Sequence, residues 1–305
     1  MESRSILIVG LLPHESGKTF LAGSLIEELR LRGVDVGVSK PIAGHSLWYQ
    51  WSTYIDSIRE GILVGFDAMV LKKKSGSKDL LEMINPIDLA TIPPDIIYKD
   101  SRDLEFLYAE YLSARSIDIT AIGRLSLCKE RNKIETKHYI IKDYIVKLNE
   151  SNKEYVYKLA EKLSPKPLEV LRRDFLRTLQ ESYTYVDNCL DHIIKNHALT
   201  IIESFNDSAT PTIRSLDTDL VLVVLPGRVY VYEGSRYKMA FEVISDISRK
   251  FINPLENWVS TREIIRLLRD SYIYTSEIPH SIKETEHREK ISSLTDRIIR
   301  LLEKI

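Results

Sequence analysis

The sequence predicts an α/β protein, with a central, mostly parallel sheet flanked by helices and a mainly helical insertion over the sheet's ligand-bearing edge. Three observations lead there. The chain opens as strand, loop, helix, strand, from "ILIVGLLPHESGKTFLAGSLIEELRLRG" into "GVDVGVSKPIAG", the start of a βαβ unit. Two later apolar runs, "ALTIIES" and "DLVLVVLPG", have the continuous β-branched character of strands covered on both faces. Residues 95–197, before those runs, carry a different pattern. We read residues 1–305 as one domain, with 95–197 as an inserted subdomain.

Taken in order, Ile6-Leu7-Ile8-Val9 is a short buried strand. Phe20, Leu21, Leu25, Ile26 and Leu29 then recur at helical spacing, and Gly33 supplies a stop. Val34, Val36 and Val38 alternate into a second strand that ends at Lys40-Pro41. Residues 103–115 have helical spacing. The stretch "IDITAIGRLSLCKERNKIETKHYIIKDYI" has β-rich flanks around a charged middle and suits an inserted hairpin. Residues 154–196 read as two or three helices broken near Ser164-Pro165-Lys166-Pro167. Beyond the second apolar run, helices are expected around 235–250 and 260–270, an edge strand and loop at 272–279, and an amphipathic closing helix over 283–304.

The loop between the first strand and helix, "GLLPHESGKT", has the ending of a phosphate-binding P-loop. Counting back from Gly17-Lys18-Thr19, however, puts Leu12 where G-x-x-x-x-G-K-[ST] has its first glycine. The chemistry asks for less than the pattern does. It needs a buried strand delivering the loop, backbone amides turned inward, a lysine for the outer phosphates, a hydroxyl for Mg2+ and a helix starting there. His14, Glu15, Ser16, Gly17, Lys18, Thr19 and Phe20 are therefore candidate nucleotide contacts, as are Pro226 and Gly227 after the second apolar run.

Composition excludes other classes. Lys and Arg number 43 against 44 Asp and Glu, a net charge of −1, so no global field marks a nucleic-acid or membrane binder. No apolar run reaches bilayer-spanning length and no leader pattern stands at the start. Cys128 and Cys189 have no metal-ligand spacing and are read as passive thiols in a reducing, cytoplasmic setting. Glutamine occurs only at Gln50 and Gln180, as in a thermophile's usage. Lys72-Lys73-Lys74 reads as a solvated turn. Trp48, Trp51 and Trp258 read as packing residues, though Trp48 and Trp51 follow Lys40 closely enough to border an acceptor pocket.

These residues together resemble dethiobiotin synthetase and its relatives, P-loop NTPases whose phosphate loop ends E-x-G-K-T without the usual first glycine. Glu15-Ser16-Gly17-Lys18-Thr19 matches that ending, and Lys40-Pro41-Ile42 matches the family's G-x-x-V-x-x-x-K-P-[VI]. "GFDAMVL" with Asp67, "MINPIDL" with Asn85-Pro86 and "IIESFND" with Glu203 follow the family's later segments in order. The resemblance implies ATP as the nucleotide, with GTP open because no guanine motif is present, and Mg2+ held by Thr19, Asp67 and Glu203. It implies Lys40 and Lys18 as catalytic lysines, a homodimer, and phosphoryl transfer to a small carboxylate or carbamate acceptor, or hydrolysis. The chain departs at Ser204-Phe205-Asn206-Asp207, where the family has a glycine-rich turn, so the acceptor is expected to differ. The competing reading is a nucleotide-switched ATPase or GTPase that binds a protein partner through the insertion. A nucleic-acid-partitioning ATPase ranks last, for want of basic patterning. Arg228 is an anion candidate or a plain surface arginine, and Ile278-Pro279 is a base-contact candidate by analogy.

Overall fold

Alternation along the first strand decides the layering. In the computed structural model, which describes residues 3–95, 116–130, 133–248, 258–278 and 284–304, β1 (Arg4–Gly10) is buried from Ser5 onward. Ile6 and Ile8 pack on one side with Leu21, Leu25 and Leu29 of α1 (Lys18–Leu31) and with Ile291, Leu294 and Ile298 of a long C-terminal helix. Leu7 and Val9 pack on the other side with Tyr237, Phe241 and Ile264. A strand whose successive side chains enter two separate cores must lie between two helical layers.

The protein is α/β with two mixed sheets. The first has the order β11-β10-β9-β1-β8-β2. β2 (Val36–Ser39), β8 (Leu199–Glu203), β1 and β9 (Leu220–Leu225) pair parallel. β10 (Arg228–Glu233) and β11 (Tyr274–Glu277) add an antiparallel edge. The β10 strand was missed in the sequence, where Pro226-Gly227 reads only as a turn. That turn, with Gly227 at φ 81°, makes it a hairpin with β9.

Pro41 hands the chain from one sheet to the other. β3 (Ile42–Ser46) begins immediately after it and starts a second sheet of order β3-β4-β5-β6-β7. β4 (Ile87–Thr91), β5 (Thr120–Glu130), β6 (Lys133–Ile141) and β7 (Leu168–Val170) complete it. Helices α2 (Ser52–Glu60), α3 (Phe66–Ser75) and α4 (Leu81–Ile84) lie between β3 and β4. The insertion expected at 95–197 holds helices over 142–145, 150–160 and 172–196, but it also carries strands beyond the one hairpin read from the sequence. Three strands fall within it among the described residues, and they pair with two strands from before residue 95, so the second unit is wider than the insertion and built on a sheet. The β5–β6 hairpin was expected, and it is the most extensively paired element of this sheet. The helix expected at 103–115 lies outside the described residues.

Helices α5 (Lys142–Ile145), α6 (Glu150–Ala160) and α7 (Arg172–Asn196) complete the middle of the chain. Phe175 and Leu179 of α7 pack on the second sheet, while Leu190 and Ile194 belong to the first core, so this helix joins the two units. The remaining helices, α8 (Gly234–Ser248), α9 (Thr261–Leu268) and α10 (Glu284–Leu302), lie close to where the apolar spacing placed them. Lys72, Lys73 and Lys74 end α3 instead of forming a turn, at the terminus a helix dipole favours for cations.

The cysteines are also corrected. Cys128 of β5 and Cys189 of α7 form a disulfide across a sequence separation of 61, so the inference of a reducing compartment from two passive thiols loses its premise. Among the described residues, no helix is long and apolar enough to cross a membrane.

Candidate functional site

Parallel pairing places the site. Ile202 of β8 stands opposite both Leu7 of β1 and Ser39 of β2, so the carboxyl ends of three neighbouring strands finish side by side. Gly10, Lys40 and Glu203 are at or just beyond those ends, in the crevice where open α/β sheets bind ligands.

The loop after β1 turns through two left-handed residues, Glu15 at φ 52° and Gly17 at φ 91°. Gly17 caps α1, with no side-chain hydrogen bond to the helix amides and no acid in the first turn. The positive end of α1 is therefore left to whatever the loop binds. Lys18 is buried and donates to the Asn206 carbonyl at 2.6 Å and to Ser16 Oγ at 3.2 Å. Burial, reinforced by the Lys40 ammonium, lowers its pKa to about 8.

Four side chains from four elements meet next to it. Thr19 Oγ1 is 3.0 Å from Asp67 Oδ1 and 2.8 Å from Glu203 Oε1. Lys40 Nζ is 2.6 Å from Glu203 Oε1 and 3.0 Å from Asp67 Oδ2, and it also donates to the Ser204 carbonyl at 3.0 Å. Burial alone would push the Lys40 ammonium down, but Asp67 and Glu203 outweigh it and hold the pKa above the ordinary lysine value. Asp67 keeps 33% of its side chain exposed. Its partial enclosure pushes the carboxyl up, and Lys40 more than reverses this, leaving it below the usual range. Glu203, fully buried, is raised by burial against the pull of Lys40.

The proton count at Thr19 matters. Its hydroxyl has one hydrogen, yet two carboxylate oxygens stand within bonding distance. Glu203 Oε1 already accepts from the Lys40 ammonium, which leaves the single Thr19 proton for Asp67, while Glu203 Oε2 is buried with no hydrogen-bond partner. Two carboxylates and a hydroxyl form the hard oxygen set that Mg2+ prefers. Among the described residues there is no group of three or more His, Cys, Asp and Glu arranged for a metal, so a cation here would depend on Thr19 as well as the two acids.

The other expected contacts separate. Glu15, Gly17, Phe20, Pro226 and Gly227 line one cleft together with Ile278. Phe20 is exposed, its ring 4.8 Å from that of His287. His14 is exposed and does not line that cleft. Pro279 lies outside the described residues. Arg228 pairs with Glu277 at 2.9 Å, which favours its surface reading. Trp48 and Trp51 are exposed, so of the core or interface packing expected for them the core alternative does not hold. Trp258 does pack, edge-on to Phe205, and donates to Asp207 at 3.1 Å.

Sequence reasoning missed Gly10. A Cβ added there would stand 2.3 Å from Ser16 Oγ and 2.7 Å from Lys18 Nζ. The backbone at Gly10 thus makes room for the side chains of Ser16 and Lys18. Gly10 was in plain view as the first residue of "GLLPHESGKT". Asn85 was noticed only as part of a turn, yet its Nδ2 donates to the Lys40 carbonyl at 2.8 Å.

No family model, no curated protein and no solved structure matches the chain.

Proposed function

We propose that the protein is a P-loop NTPase-type enzyme that binds ATP with Mg2+ and hydrolyses it or transfers its γ-phosphoryl group to a small acceptor. The observation that carries this is the convergence of Thr19, Asp67, Glu203 and Lys40 beside the start of α1, whose cap Gly17 offers its amides no side-chain acceptor. The partners of Lys18 are a carbonyl and a hydroxyl, neutral groups that phosphate oxygens replace with gain. Bound at Thr19, Asp67 and Glu203, Mg2+ would neutralise phosphate charge. Lys40 stands beside both carboxylates, where its ammonium meets charge developing on a transferring phosphoryl group. A cytoplasmic, thermophilic setting belongs to the same proposal, because the disulfide is compatible with the interior of hyperthermophiles.

A nucleotide-switched regulator is the second reading. It is favoured by the exposed run Trp48, Tyr49 and Trp51, respectively 59%, 69% and 65% accessible, which suits a protein partner better than a small acceptor.

Calorimetric titration with Mg-ATP and separately Mg-GTP tests the proposal. One nucleotide should bind, Lys18→Ala should abolish that binding, and Lys40→Ala should keep the binding while lowering turnover. Equal loss of binding in both variants would contradict the roles assigned, and no binding by the wild type would withdraw the enzyme reading. Hydrolysis that is slow alone and accelerated only by a partner would favour the switch.

A further inference from the structure

The second sheet carries a buried polar row that the site chemistry leaves unexplained. Asp88, Arg124 and His138 stand directly opposite one another on β4, β5 and β6, all with no accessible surface. Charged groups are costly there unless they are fully partnered. Arg124 spends its fork on backbone as well as side chains. Its Nε donates to the Leu63 carbonyl at 2.7 Å and its Nη1 to Ser126 Oγ at 2.8 Å. Its Nη2 donates to the Asn85 carbonyl at 2.6 Å and to Asn85 Oδ1 at 3.0 Å. His138 Nε2 takes the Leu63 amide at 3.1 Å, so both backbone groups of Leu63 are held by the row.

Both held segments lead to the site. Leu63 is four residues before Asp67, which lies in the first turn of α3. Asn85 returns to the second strand's end, with Nδ2 on the Lys40 carbonyl at 2.8 Å, while the Lys40 amide donates to the Ile84 carbonyl at 2.7 Å. With its Oδ1 committed to Arg124, the Asn85 amide can present only its donors to Lys40.

We propose that Arg124 and Asn85 are positioning residues, a buried relay through which the second sheet sets the place of Lys40 between Asp67 and Glu203. The relay is independent of which nucleotide or acceptor is used, although its consequence for turnover rests on the reading given under Proposed function. It also explains why strands from both sides of residue 95 are built into one sheet: that sheet is the frame for Lys40.

Asn85→Asp is the sharpest test. It keeps the shape and the acceptor for Arg124, but sets an oxygen in place of a donor against the Lys40 and Ile87 carbonyls, each of which accepts from Asn85 Nδ2 at 2.8 Å. The readout is acetylation by acetic anhydride, resolved by mass spectrometry at Lys40 and at Lys18, a second buried lysine with no contact to Asn85. Local opening at Lys40 should raise its labelling relative to Lys18 by about five- to tenfold, the scale of one lost hydrogen bond. Should Asn85→Asp not fold, Asn85→Ala removes the donor without the repulsion and carries the same readout. A folded variant in which the ratio is unchanged, or in which both lysines rise together, overturns the proposal, since a merely structural loss would loosen both. Mg-ATP titration and turnover on the same variant form a separate arm, in which binding near wild type and reduced turnover are expected. If the wild type binds no nucleotide, the functional reading fails while the labelling ratio still decides the relay.

Discussion

Gly10→Ala is the smallest change that tests how the loop between β1 and α1 is built. The backbone at Gly10 is not in the left-handed region, so alanine meets no torsional penalty and the whole effect is steric. The new methyl carbon would stand 2.3 Å from Ser16 Oγ, 3.1 Å from Ser16 Cβ and 2.7 Å from Lys18 Nζ, where ordinary contacts of this kind exceed about 3.4 Å. Ser16 and Lys18 must therefore both give way, and the 3.2 Å bond between them is lost. Both are side-chain ends, so the fold can adapt. The stability cost should be about 1–3 kcal/mol, the range for overpacking by a single methyl group, read as a shift in the urea midpoint at unchanged slope. The functional cost should be larger, because the displaced ammonium is the group expected to meet phosphate. Mg-ATP binding should fall by at least about tenfold, which corresponds to 1.4 kcal/mol. Ser16→Gly in the same chain removes two of the three clashes and should recover most of the stability, but not the binding. A Gly10→Ala protein with wild-type stability and wild-type nucleotide affinity would refute the claim that Gly10 makes room for Ser16 and Lys18.

Two titrations give further checks. With its pKa lowered to about 8 by burial and by Lys40, Lys18 is partly neutral above pH 8, and a bound polyphosphate should restore its proton. Calorimetry in buffers of different ionisation enthalpy should show proton uptake on binding near pH 8.5 and almost none near pH 6.5, and equal uptake at the two pH values would refute the assignment to Lys18. His197 bridges Asp35 at 3.0 Å and Asp79 at 2.8 Å, one on each ring nitrogen. Burial alone would lower its pKa, but the two carboxylates outweigh it, and the folded value is raised above 6.5. The stability it contributes is fully present below the unfolded pKa and is lost as pH rises through the folded one. Urea midpoints should therefore fall from pH 6 upward more steeply in the wild type than in His197→Gln, and parallel profiles would show that the bridge carries no charge.

Much of the first unit was legible because its signals are local. The run Ile6 to Val9 has to be buried wherever the chain places it, and Gly17-Lys18-Thr19 at a strand-to-helix junction limits what the loop can be. Glu203 stood out because a carboxylate directly after a buried strand needs a partner. Gly10 was overlooked because its role depends on Ser16 and Lys18 folding back over it, and sequence spacing does not report such an approach. The second sheet was misread for a similar reason. β3 and β4 are short, and nothing in "IAGHS" or "IDLAT" names the partners supplied from beyond residue 119. The disulfide joins positions 61 residues apart with no surrounding pattern to pair them.

By itself, the sequence determined the α/β class, the order of the opening elements and the residue types available for phosphate and metal chemistry. Periodicity and turn chemistry act over a few residues and are written in the order of the chain. Only the tertiary structure decided that Thr19, Lys40, Asp67 and Glu203 share one site, that a buried arginine on another sheet bonds the Leu63 carbonyl and Asn85, and that the cysteines are bonded. Each of those depends on strand pairing and burial between segments far apart in sequence, where the free energy belongs to the contact and to neither residue alone.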